Sequence, residues 1–192
     1  MKTSPENAPP APRAADAEIY PLDEFYAARA EELPEIATVR AEAMPEPFHS
    51  LLVHNTDMTS TLERFYGEGL HVEVLARRRN GDDYYREVVL VLNHSKKRVE
   101  FGAIKINLNL FPAGAREIIL REREPLGRIL NRFKVAFSSR PSVYLRVAAD
   151  TFISTALQTR HPAHLFGRRN SLFDAWEQPL AEIVEILPPL SP

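Results

Sequence analysis

The chain has 192 residues, 44% of them hydrophobic and 26% charged, which suits one domain of ordinary size with or without a tail. It contains no cysteine, which excludes disulfide scaffolds, zinc–thiolate sites, iron–sulfur ligation and cysteine nucleophiles. The formal net charge of −2 lacks the basic excess of a nucleic-acid binder, so no nucleic-acid partner is expected.

Prolines number 16 against 7 glycines, and half of them fall in the first quarter of the chain. After Met1, residues 2–17 offer no apolar side chain larger than alanine, too little to offset the entropy of ordering. Residues 1–19 are therefore expected to be a disordered tail. No apolar stretch follows Lys2, so the tail does not read as a signal peptide. No run of eighteen apolar residues occurs, and a soluble cytoplasmic protein without a membrane partner is expected.

Residues 20–57 read as a helical arm, cut by Pro34 and by the Pro45-Glu46-Pro47 turn. From Met58 a domain is expected to run to residue 192. Ser60 and Glu63 have capping-box spacing, Leu62, Phe65 and Tyr66 share a helical face, and Gly67 or Gly69 ends the segment. Residues 70–78 alternate as a strand, and Asn80-Gly81 signals a hairpin into a second strand over 84–93. A third runs from Arg98 to Leu110. Two helical segments follow, one after Pro112 and one opened by Pro125, with Leu126, Ile129, Leu130 and Phe133 as its stripe. Strands are predicted over 142–148, 164–173 and 179–187, the last two flanking a polar turn at 175–178; residues 150–163 carry no clear pattern. The sum is an α+β fold, an antiparallel sheet with helices gathered on one side.

Arg86 shares its strand face with Val88, Leu90 and Leu92, while Glu87 shares the other with Val89 and Val91. Both faces are apolar, so the strand is central. An arginine there needs an anion, supplied either by an internal salt bridge or by a ligand carboxylate. On the last strand Glu185 shares a face with Ala181, Ile183 and Leu187, and Glu182 lies on the other with Leu180, Val184 and Ile186. One of these glutamates faces the core, and parity does not say which. Lys105 shares its face with Asn107 and Asn109 and reads as solvent-facing. The predicted helix starts at Met58 and Leu126 would present free backbone N–H groups, with Gly127 allowing close approach. The six histidines are scattered, and Pro162 interrupts the one close pair, His161 and His164, so no metal is expected. The runs Arg77-Arg78-Arg79 and Lys96-Lys97-Arg98 read as solvated hairpin ends.

The segments MTSTLERFYGEG, YYREVVL, EPLGRIL, LFGRRNSL and PLAEIVEILPP resemble, in order and rough spacing, blocks of the chorismate pyruvate-lyases over Met58–Pro189. The related UTRA ligand-binding domains of transcription regulators share that fold, normally behind a helix-turn-helix that residues 1–57 do not resemble. The resemblance implies a six-stranded antiparallel sheet, helices on one face, a closed internal pocket, and no metal or cofactor. It implies a lyase that cleaves chorismate to 4-hydroxybenzoate and pyruvate, a monomer acting on a small-molecule substrate. Arg86 would grip the ring carboxylate and Glu185 would sit by the ring oxygen, as general acid or as partner of the product hydroxyl. Met58 and Leu126 would add main-chain contacts. The resemblance selects Glu185 over Glu182. A second family arginine, on the third strand, has no clear counterpart, since Ala103 or Lys105 lies there. The alternative is a non-catalytic, UTRA-like binder of a small aromatic acid, or a lyase-like enzyme with another carboxylate substrate.

Overall fold

The computed structural model describes residues 18–160 and 163–190, so the expected tail lies outside the described residues except for Glu18 and Ile19. The arm region contributes α1 (Leu22–Arg29), β1 (Ile36–Val39) and α2 (Phe48–Leu52). Then follow α3 (Met58–Tyr66), β2 (Leu70–Asn80), β3 (Asp83–Leu92), β4 (Arg98–Asn107), α4 (Ala113–Leu120) and α5 (Leu126–Arg132). The chain closes with β5 (Ser138–Ala149), α6 (Thr151–Leu157), β6 (Ala163–Phe173) and β7 (Pro179–Leu187).

Local chemistry sets these boundaries. Asp57 caps α3 by accepting the Ser60 N–H at 2.8 Å, and Asp150 caps α6 through the Ile153 N–H at 2.8 Å. The α3 cap is thus Asp57, not the predicted Ser60–Glu63 box. Gly67 ends α3 in the left-handed region at φ 65°, and Gly81 turns the β2–β3 hairpin at φ 60°. Asp174 folds the last hairpin by accepting the N–H groups of Trp176 and Gln178, each at 2.8 Å.

All pairings are antiparallel, in the order β1-β5-β6-β7-β4-β3-β2. The sheet therefore has seven strands, not the expected six. The added strand is β1, whose Ile36–Val39 pairs with Val147–Tyr144 of β5. The expectation of helices on one face is also corrected. Helices α1 and α6 pack with Val89, Val91, Phe101, Leu145, Val184 and Ile186 on one face. Helices α2 to α5 cover the other, against Val88, Leu90, Ile104, Leu172 and Ile183. The physical reason is in β3 itself: ten residues of which nine are buried, apolar on both sides, need cover on both sides. No helix among the described residues is long and apolar enough to cross a membrane.

Candidate functional site

The cavity lies between the sheet and the start of two helices. β3 supplies Arg86, Val88 and Leu90; β4 supplies Glu100, Gly102 and Ile104. Ile183 and Glu185 come from β7, and Asn170 and Leu172 from β6. Asp57, Met58 and Thr59 at the start of α3 and Pro125, Leu126 and Gly127 at the start of α5 close the top. Its free volume is about 50 Å³, several-fold below the ~300–1,000 Å³ of pockets for drug-sized ligands, so it suits a compact ligand.

Two devices hold the helices over it. Gly127 lies so close to α3 that a Cβ there would run into Asp57 Oδ1 and Thr59 Oγ1. Arg128 and Glu63 form an ion pair between α5 and α3, and Glu63 also accepts the Leu70 N–H at 3.2 Å. The loop before α3 is tied down by Arg168 of β6, which is 0% exposed and donates to the carbonyls of Leu52 at 3.0 Å and His54 at 2.9 Å.

Arg86 is 2% exposed, and its Nε and Nη1 are buried without a hydrogen-bond partner. Burial pulls its pKa down from the ordinary arginine value, offset in part by Tyr84 and Glu122. Those two are bonded to each other, so Glu122 is not spent on Arg86. An uncompensated guanidinium in this setting costs several kcal/mol unless an anion meets it. Among the described residues, the internal salt bridge left open by the sequence does not form.

Glu185, 4% exposed, is ion-paired with Arg168, whose Nε lies 2.5 Å from its Oε2. Glu182 points the other way, half-buried, to Arg169 at 3.1 Å and Lys105 at 3.8 Å. Lys105 is not purely solvent-facing as predicted: it is half-buried and also meets Asp83 at 3.3 Å. The basic runs are likewise less free than expected, with Arg77 on Glu122, Arg78 on Glu24 and Arg98 on Glu73.

Sequence reasoning missed two members of the site, Glu100 and Arg168. Glu100 is 5% exposed and its Oε2 has no partner. Burial, then the Glu185 carboxylate, push its carboxyl well above the usual carboxylate range, against a smaller pull from Arg168. The same alternation that singled out Arg86 was available for Glu100, which shares its strand face with Gly102, Ile104 and Ile106. Arg168 sits in a strand of mixed polarity, where parity carries less.

The four positions named from sequence, Arg86, Glu185, Met58 and Leu126, thus border one cavity. Among the described residues it offers chemically one unpaired cation, an apolar wall, and a carboxyl with a free oxygen. No cluster of three or more potential metal ligands occurs among the described residues.

No protein-family model matches the chain, and no curated protein matches it. Solved structures do. PhnF from Mycobacterium smegmatis superposes with a TM-score of 0.53 at 14% identity, over 68% of this chain and 63% of that one. The chain therefore spans somewhat under two thirds of PhnF. The effector domain of PhnF alone gives a TM-score of 0.51 at 12% identity, over 69% and 88% of the two chains. A gene product of Staphylococcus aureus, SA0254, gives 0.53 at 6% identity, over 71% and 90%. At these identities the likeness establishes the fold alone.

Proposed function

We propose that this domain binds a small organic acid, without chemistry, in the cavity between the sheet and helices α3 and α5. The ligand carboxylate sits on Arg86, and its apolar body lies against Val88, Leu90, Leu126 and Ile183. The observation that carries this reading is the Arg86 guanidinium, fully buried, aimed at a cavity and lacking partners on two of its nitrogens. The shared fold with the PhnF effector domain supports a binding module over an enzyme. Isothermal titration with benzoate and with benzamide tests it. Benzoate should bind and benzamide should not, and Arg86→Met should abolish the benzoate signal. Equal binding by parent and variant would refute the reading.

A second reading is the lyase that converts chorismate to 4-hydroxybenzoate and pyruvate. What favours it is that the four positions matched to the lyase blocks border the same cavity. In it, Glu100 rather than the ion-paired Glu185 would supply the proton, since burial and the neighbouring Glu185 push its carboxyl well above the usual carboxylate range. Pyruvate release from chorismate is its test.

A further inference from the structure

Arg86 accounts for one end of the cavity. The other end is acidic, and the cation near it is already engaged. Arg168 spends its guanidinium on Glu185 and on the carbonyls of Leu52 and His54. Lys105 belongs to the opposite face of β4, with Asp83 and Glu182. Glu100 has none of these partners. It faces the cavity on β4, next to Gly102 on the same face, and the two pair in register with Leu90 and Val88 of β3. Gly102 is what leaves room for it: a Cβ there would lie 3.2 Å from Glu100 Oε1 and 3.3 Å from Val88 Cγ2. The β3 partner of Glu100 is four residues beyond Arg86, roughly 13 Å along the strand at about 3.3 Å per residue. Arg86 and Glu100, each with buried polar atoms that lack a partner among the described residues, thus border one small cavity from well-separated positions along the sheet.

We infer that Glu100 is the specificity-determining residue of this cavity: it donates a hydrogen bond to an uncharged oxygen of the ligand, a hydroxyl, ether or keto group, at the end away from Arg86. The ligand class is then a monocarboxylic acid carrying such an oxygen across a compact apolar body. A dicarboxylate is rejected, because its second carboxylate would be buried beside two glutamates with no cation to spare among the described residues. The protonated state that donation requires is the one that burial and the Glu185 carboxylate favour, by raising the Glu100 carboxyl above the usual range. The inference rests on the carboxylate reading above, with Arg86 as anchor.

Benzoate, 4-hydroxybenzoate and terephthalate are titrated calorimetrically at pH 7 into the parent, Glu100→Leu, Glu100→Gln and Arg86→Met proteins, each checked for folding by circular dichroism. In the parent, 4-hydroxybenzoate should bind about 10-fold tighter than benzoate, the scale of one buried hydrogen bond, and terephthalate should not bind. Glu100→Leu should erase the preference while keeping benzoate affinity, and Glu100→Gln, which still donates, should retain most of it. Equal binding of the two monocarboxylates by the parent, a preference that survives in Glu100→Leu, or tight terephthalate binding would each overturn the role of Glu100. None of these outcomes touches the anchor. Failure of every carboxylate to bind, or unchanged binding by Arg86→Met, overturns the carboxylate reading itself and this inference with it.

Discussion

Arg86→Met should make the ligand-free protein more stable while destroying its binding. The side chain is 2% exposed, and two of its guanidinium nitrogens have no partner. Each buried donor left unsatisfied costs about 1–3 kcal/mol, and the buried charge adds to that. Methionine matches the aliphatic stem and removes the head, so a gain of about 2–4 kcal/mol is expected after some loss of packing. For a chain of this length that is a rise in Tm of roughly 4–16 °C. Urea denaturation followed by circular dichroism measures it, with the midpoint moving up and the slope unchanged. Saturating 4-hydroxybenzoate should stabilise the parent, by about 2.7 kcal/mol at a hundredfold excess over Kd, and leave the variant where it was. A variant less stable than the parent would refute the reasoning, for it would mean that Arg86 is already satisfied in the empty protein and waits for nothing.

Arg168→Met should do the opposite at the same level of burial. It strands Glu185 without its cation and frees the carbonyls of Leu52 and His54, so a loss of about 3–5 kcal/mol is expected in the same urea titration. Gly127→Ala drives a methyl group into Asp57 and Thr59, which overpacks the α3–α5 contact and disturbs the α3 cap; roughly 2–4 kcal/mol should be lost, with weaker ligand binding. Glu100→Gln should gain stability relative to the parent as pH rises. The folded carboxyl is held above its unfolded value near 4.3, so the two proteins differ least below that pH. Above it the parent falls behind by about 1.4 kcal/mol per pH unit until the folded group itself ionises. A difference that does not grow with pH would contradict a protonated Glu100.

Much of this was legible in the residues. Period-two alternation located β2 and β5, strand-like runs located β3, β4, β6 and β7, the Asn80-Gly81 turn located the first hairpin, and the charge of Arg86 on an apolar face marked the cavity. What escaped has physical causes. β1 is four residues long, too short for alternation to stand out behind Pro34, and it becomes a strand only because β5 offers an edge. α6 follows directly on β5, and its start depends on the Asp150 cap, which also accepts the Tyr26 hydroxyl at 2.6 Å from a distant helix. The two-sided cover of the sheet was written in β3, where both faces are apolar. Pairing between buried charges was not: that Glu185 belongs to Arg168, and that Glu100 Oε2 has no hydrogen-bond partner among the described residues, depends on the register of β6, β7 and β4.

The most direct test of the central claim is a crystal structure of the protein grown with 4-hydroxybenzoate. The carboxylate is expected on Arg86, within hydrogen-bonding distance of Nε and Nη1, and the hydroxyl oxygen beside Glu100. An empty cavity at saturating ligand, or a ligand bound away from Arg86, would contradict it.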